Sequence, residues 1–275
     1  MRTAPGTALA LTLVIAATLI ISTESKSYAV NDPNLYYSPY AWQVNDNSAS
    51  TINSASYVRF LFSGSSLSFL FDVSTMVDPT SEVYWRVDNG PAEVSIVMSQ
   101  VSVTIPQNNT KGDIPYHTIE LFVKSTTERA NRWSSVANST RVILKGVECD
   151  GLLAPWIPSD SNILIYGDSI TEGVLTLGSS QAYDTDHNDA SLVYSYVLSR
   201  LLGTETGVIG FGASGLTHKG SGGVPPLDVS WNQLWDGVPR IFTPRPDLIV
   251  LNEGTNDGCD TVHPGCIGEI TSQSP

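Results

Sequence analysis

Ser169 stands in the run Gly167-Asp168-Ser169-Ile170-Thr171-Glu172-Gly173, directly after the apolar stretch Ile163-Leu164-Ile165-Tyr166. A serine at the turn from a buried strand into a helix has backbone N–H groups directed at it. Those donors can hold an oxyanion while the hydroxyl acts as a nucleophile. Such a turn also suits Asp and Ser as mere helix caps, and the tripeptide alone does not separate the two readings. Two further segments bear on the choice. Gly210-Phe211-Gly212-Ala213-Ser214-Gly215 follows a second apolar stretch, Val208-Ile209, and Gly254-Thr255-Asn256-Asp257 follows a third, Leu248-Ile249-Val250-Leu251. A glycine lets its backbone N–H approach a substrate closely, and an asparagine amide is a good neutral donor for a developing negative charge. The first run lacks the G-x-S-x-G spacing of a nucleophile elbow, which gives an α/β-hydrolase fold no support.

Three such segments, in this order and each after a strand, resemble the blocks of the SGNH (GDSL) hydrolase family over about residues 161–260. The resemblance implies a serine esterase with Ser169 as nucleophile. It implies an oxyanion hole made from the Ser169 N–H, the Gly212 N–H and the Asn256 side chain, with no metal or organic cofactor. The family's base is a histidine in a final Asp-x-x-His block beyond further strands, so the base here is left unknown. Asp260-Thr261-Val262-His263 has the literal pattern but lies three residues after the asparagine block, where a surface loop is expected. Cys259, His263 and Cys266 lack a clear fourth ligand for a metal, and Cys259 and Cys266 could instead close a small disulfide loop. His117 is expected to be structural. His187 and His218 fall in or beside loops after strands and are not assigned as base.

The elements that must position these groups follow from periodicity. From 57 to 149 apolar residues alternate with a period of two: Val58, Phe60 and Phe62; Leu67, Phe69, Phe71 and Val73; Val83, Trp85 and Val87 before the turn Asp88-Asn89-Gly90; then 94–103, 117–123 and 141–147. Short strands with turns between them predict a β-sandwich of jelly-roll type. The runs Trp85-Arg86-Val87-Asp88-Asn89-Gly90 and His117-Thr118-Ile119-Glu120-Leu121 are similar to the jelly-roll module of family-2 carbohydrate esterases, which implies an acylated carbohydrate substrate. Residues 151–160, with Pro155 and Pro158, read as a linker. Beyond it, continuous apolar strands and a helix over 190–202, capped by Asn188 or Asp189 and ended by Gly203, predict a parallel sheet. Trp231 and Trp235 at i and i+4 read as a packing pair on a helix, with stacking on sugar rings as the alternative.

The expected organisation is therefore a signal peptide over 1–29, a jelly-roll-like β-sandwich over 30–150, a linker over 151–160, and an α/β/α flavodoxin-like SGNH domain over 161–275, incomplete because the final block is missing. The signal peptide rests on Arg2, an apolar run from Ala8 to Ile21 too short to span a bilayer comfortably, and small residues before a cleavage site after Ala29 or after Ser25. It implies a secreted protein without stable membrane association. Sequons at Asn108 and Asn138 fit export. The net charge of −13, with no basic cluster, argues against nucleic-acid binding, and the 41% hydrophobic and 15% charged composition fits a protein with a substantial core. Other readings from the same features are an inactive fragment of an esterase, or a carbohydrate-binding protein that uses the sandwich alone.

Overall fold

The computed structural model describes residues 25–88, 90–106, 116–134, 140–179 and 183–258. Both sequons, Cys259, Cys266 and the Asp260–His263 pattern lie outside these residues.

The alternating half of the chain folds into two antiparallel sheets. In one, the order is Gln43–Val44, Ala49–Thr51, Val142–Cys149, Ser66–Phe71, Gln100–Thr104, with Lys26–Ala29 also pairing to Val142–Cys149. In the other, it is Leu152–Ala154, Tyr57–Ser63, His117–Ser125, Glu82–Val87, Glu93–Ile96, with Tyr36–Tyr37 also pairing to Tyr57–Ser63. Side chains at every second position turn inward, so Val58, Phe60, Phe62, Leu67, Phe69, Ile119, Leu121 and Leu144 form one buried core between the sheets. Phe60 and Phe69 meet edge-on across it at 6.0 Å. The fold class expected for this half is observed.

Several boundaries differ from the sequence reading. The run 94–103 is two strands, Glu93–Ile96 and Gln100–Thr104, which belong to different sheets. Its uninterrupted apolar periodicity hides a corner at residues 97–99. Residues 152–154, read as linker, pair with Tyr57–Ser63 because Leu153 supplies one more inward apolar side chain. Lys26–Ala29, placed in the signal peptide, is a strand in register with Cys149–Gly146. Tyr28 packs on the core and donates its hydroxyl to the Gly151 carbonyl.

The second half carries a three-stranded parallel sheet, ordered Glu205–Gly210, Asn162–Gly167, Leu248–Asn252. The two strands Asn162–Gly167 and Glu205–Gly210 are buried throughout, as the apolar runs Ile163–Tyr166 and Val208–Ile209 require, with Glu205 buried against Tyr57, Arg59 and Trp156. Leu248, Ile249 and Leu251 on the outer strand are at least half exposed. The helix expected over 190–202 is interrupted. Asp189 caps a 3₁₀ turn at Ala190–Leu192 by accepting from the Ser191 N–H. Extended Val193 then breaks the path, and the α-helix proper runs Tyr194–Leu202 to a left-handed Gly203. Trp231 and Trp235 do not share a helix. Trp235 is buried on the strand Gln233–Trp235, while half-exposed Trp231 stacks with Phe242 at 5.8 Å.

The second sheet of the sandwich has no solvent face along much of its length. The strand His117–Ser125 is buried at nearly every position. Ile119, Leu121 and Val123 enter the sandwich core, while Glu120, Phe122 and Lys124, and Ser125 beyond a register shift, meet the α/β half. Phe122 packs edge-on against Tyr196 of the helix at 4.6 Å, and Lys124 donates to Glu82 and to the Thr185 carbonyl.

Candidate active site

The strand Asn162–Gly167 ends at a one-turn helix, Ser169–Glu172. Asp168 is its N-cap: the carboxylate accepts from the Ile170 N–H at 2.9 Å. The capping reading thus applies to Asp168 and not to Ser169. Ser169 is half-buried, and its hydroxyl makes no hydrogen bond to any described residue. The helix stops after one turn because Gly173 takes the left-handed conformation at φ 89°.

The other two segments converge on this turn. The Phe211 N–H donates to the Gly167 carbonyl, tying the glycine segment to the start of the nucleophile turn. Gly210 must be glycine for space: a Cβ there would meet the Glu172 backbone nitrogen at 2.7 Å. The Asn256 amide donates to the Ser214 carbonyl at 2.7 Å and to Asp168 Oδ2 at 3.5 Å, linking the third segment to the other two. Asp257 fixes the continuation of the glycine segment by accepting from the N–H groups of Leu216, Thr217 and His218. Those bonds hold its carboxyl below the usual range, against the desolvation that would raise it. The three segments therefore meet at the carboxyl ends of three parallel strands, where open α/β sheets place ligands.

Gly212 differs from expectation. Its N–H donates to Glu172 Oε2 at 2.6 Å, so it is not a free donor for an oxyanion. The carboxylate that takes it is buried, and its two oxygens are gripped by the Arg132 guanidinium. Arg132 is itself fully buried and comes from the loop after the sandwich strand His117–Ser125. Its Nη1 also donates to Thr126 Oγ1, and its ring-facing side lies over Phe211 at 5.1 Å. Glu128, from the same loop, packs against Gly212 so closely that a Cβ there would overlap its carboxylate. Burial, with the nearby Glu172 carboxylate, pushes the Glu128 carboxyl up to about 7. Glu253 is the third unforeseen carboxyl: burial raises it to about 8, Asp168 and Asp257 add to that, and Oε2 has no hydrogen-bond partner among the described residues. Nothing in the local sequence marks Arg132, Glu128 or Glu253, because their partners are far away along the chain.

The histidines lie elsewhere. His117 pairs through Nδ1 with Asp88 at 2.8 Å, a structural contact at the sandwich hairpin. His218 Nδ1 contacts the Ala213 carbonyl at 2.9 Å. His187 Nδ1 is buried without a partner, although the His187 carbonyl holds the Leu177 N–H in the segment after the nucleophile turn. Among the described residues none of them is hydrogen-bonded to Ser169.

Comparison with known proteins agrees with this geometry. Residues 163–273 match the family model of GDSL-like lipase/acylhydrolase. No curated protein matches the sequence. Among solved structures, a family two carbohydrate esterase from Cellvibrio japonicus is similar at TM-score 0.68 and 20% identity, over 86% of this chain and 69% of that one. A family two carbohydrate esterase from Clostridium thermocellum, in complex with cellohexaose, gives 0.65 and 21%, over 86% and 74%. The acetyl xylan esterase Est2A from Butyrivibrio proteoclasticus gives 0.65 and 15%, over 85% and 64%. The chain thus spans between 64% and 74% of these three proteins. Residues 163–273 thus match the GDSL-like lipase/acylhydrolase model, and the chain as a whole shares the two-part fold seen in family two carbohydrate esterases.

Proposed function

We propose that this protein is a secreted serine esterase that removes short acyl groups, acetyl above all, from carbohydrate. The observation that carries the reading is the Asn256 amide joining Asp168 of the nucleophile turn to Ser214 of the glycine segment, beside a serine hydroxyl that bonds to none of the described residues. Ser169 Oγ attacks the ester carbonyl and loses its proton to a base; that proton passes to the leaving sugar hydroxyl. Water then releases the acyl group by the same route. With the Gly212 N–H held by Glu172, the oxyanion falls to the Ser169 N–H and to Asn256. One amide hydrogen of Asn256 is committed to Ser214. The other reaches Asp168 only at 3.5 Å, and is the one a developing oxyanion takes. The base is not assigned to any described residue.

Carbohydrate as the substrate is supported by the fold shared with the carbohydrate esterases. Export is supported by the leader-like sequence before Ser25. Cleavage after Ser25, the alternative point, is the one that keeps the sandwich strand Lys26–Ala29 in the mature chain. Release of acetate from acetylated xylan and from p-nitrophenyl acetate tests the assignment. Ser169→Ala should lower it by at least about 10³-fold, the scale of losing a nucleophile. Full hydrolysis by Ser169→Ala would remove the proposal. A second reading, binding of carbohydrate without turnover, is favoured by the absence of a histidine bonded to Ser169 among the described residues. It predicts affinity for the polysaccharide with no acetate released by the native chain.

A further inference from the structure

A second concave site lies at the opposite end of the parallel sheet. The strand from Glu205 to Gly210 runs toward the Ser169 end, and five steps of about 3.3 Å separate its two ends by about 16 Å. Near Glu205, a cavity of about 620 Å³ opens between the sandwich and the α/β half. That is ample for a disaccharide-sized ligand. Its floor is a cross-strand row on the outward face of the second sandwich sheet: Arg59, Glu120 and Arg86 stand opposite one another on adjacent strands. Arg200, from the last turn of the helix, and Glu205 stand over them, and Trp156 forms a side.

The charges in this cavity are unequally satisfied. Glu205 takes four donors: Tyr57 Oη, Arg59 Nη1, Trp156 Nε1 and the Ser159 N–H. Asp88 is held by His117 and by the Thr118 N–H. Glu120 bonds Arg59 Nε at 2.7 Å and receives the Tyr196 hydroxyl. Arg86 and Arg200 then lean on the same oxygen, Oε1, that takes the Tyr196 hydroxyl, each at 3.7 Å, beyond hydrogen-bonding distance. Among the described residues, Arg86 Nε is buried without a hydrogen-bond partner, and its Nη1 hydrogen-bonds only the Tyr196 hydroxyl, at 3.2 Å. Two guanidinium groups therefore present unspent donors beside one shared carboxylate oxygen, in a protein whose net charge is −13. The carbonyl end of the helix also faces this cavity, and Arg200 in its last turn offsets that negative end.

We propose that this cavity binds the carboxylate of an acidic sugar, with Arg86 and Arg200 as its hydrogen-bond donors and Trp156 as the aromatic wall against which the sugar ring lies. Planar guanidinium groups suit a carboxylate bidentately, which a neutral sugar hydroxyl does not match. That the carboxylate is carried by a sugar rests on the proposed function; the site is separate from Ser169 and would position a chain bearing uronate side groups. Calorimetric titration of the full protein with a glucuronate-bearing xylo-oligosaccharide and with a neutral one of equal length tests it. The acidic ligand should bind at least about tenfold more tightly, with affinity falling as salt rises. Arg200→Gln, at a partly exposed position, should remove most of that preference while leaving the melting temperature and the hydrolysis of p-nitrophenyl acetate unchanged. Trp156→Ala should weaken acidic and neutral ligands alike. Equal affinity for the two oligosaccharides, no binding of either, or an acidic preference that survives Arg200→Gln would overturn the proposal. Loss of hydrolysis with binding intact would count against the esterase reading alone.

Discussion

Arg132 has no exposed surface, and neither does the carboxylate it grips. Two charges removed from water in this way are retained only because each satisfies the other and because Glu172 also receives the Gly212 N–H. Removing one partner leaves the other charged and buried. Arg132→Met should therefore destabilise the protein by about 3–5 kcal/mol, measured by denaturant unfolding. Esterase activity should fall further than the folded fraction does, because Glu172, no longer held by Arg132, ceases to fix the glycine segment beside Ser169. Activity per folded molecule equal to that of the native protein would show that Glu172 merely fills space. Glu253 makes a different prediction. Its carboxyl is raised from the usual range to about 8, first by burial and then by Asp168 and Asp257. The folded state thus holds this proton more tightly than the unfolded chain does. The contribution to stability is complete below about pH 4.5 and is lost as pH rises through about 8. Glu253→Gln should melt at least about 2 °C above the native protein at pH 9, equivalent to roughly 1 kcal/mol at this size, and should match it near pH 4.5. Identical profiles would mean that the carboxyl reaches water on ionisation. The meeting of the three segments that carry Ser169, Gly212 and Asn256 was legible because each follows an apolar strand in a short, recognisable run, whereas the bond from the Gly212 N–H to Glu172 was not. Arg132, Glu128 and Glu253 were not, since a buried charge is defined by partners that the sequence does not place.

Strands were legible wherever one face met the sandwich core, as in Val58, Phe60 and Phe62. Periodicity was less informative where both faces are covered. In His117–Ser125 the even positions carry Glu120 and Lys124, which read as solvent-facing and are in fact buried by partners on the α/β half. It also failed at corners. The break at Val193 leaves the apolar spacing of 190–202 intact, so only the Asp189 cap and the extended backbone reveal it. Lys26–Ala29 was hidden for another reason, because small and polar residues beside an apolar leader resemble a cleavage region. Its four pairs with Gly146–Cys149 and the packing of Tyr28 give it a structural role. A protein beginning at Val30 should melt about 5 °C below one beginning at Lys26, for the loss of a strand and roughly 2 kcal/mol of buried Tyr28 surface. Equal melting temperatures in differential scanning calorimetry would show the strand to be dispensable and would restore cleavage after Ala29.

Over the whole molecule, the two halves are joined through charged and polar contacts as well as apolar packing, in which Tyr40, Ile52 and Trp133 meet Leu164, Tyr166 and Ile209. Arg132 crosses to Glu172, Arg59 and Tyr57 to Glu205, Lys124 to the Thr185 carbonyl, and Asp184 receives Thr127 Oγ1 and the Glu128 N–H. Phe122 against Tyr196 is the aromatic centre of this boundary. An interface of this kind behaves unlike an apolar one. Separating the halves in a partly unfolded state would expose apolar surface and would also leave charges that face each other only across the boundary without their partners. Intermediates with one half folded are thereby penalised, and the halves should unfold together, because the sandwich has its own core whereas the core of the α/β half is completed by residues of the β half. Calorimetry should show one endotherm whose van't Hoff and calorimetric enthalpies agree. Combining Arg132→Met with Glu205→Gln removes the partners at two separate places on the boundary, so their effects should add. The combined loss, on the order of 6 kcal/mol, should split the endotherm in two. The α/β half should melt first, because its sheet is held on one side by the strand Leu248–Asn252 with its apolar side chains half exposed, whereas the sandwich core is closed by two six-stranded sheets. Two endotherms already in the native protein would mean that the polar contacts across the boundary contribute little to its stability.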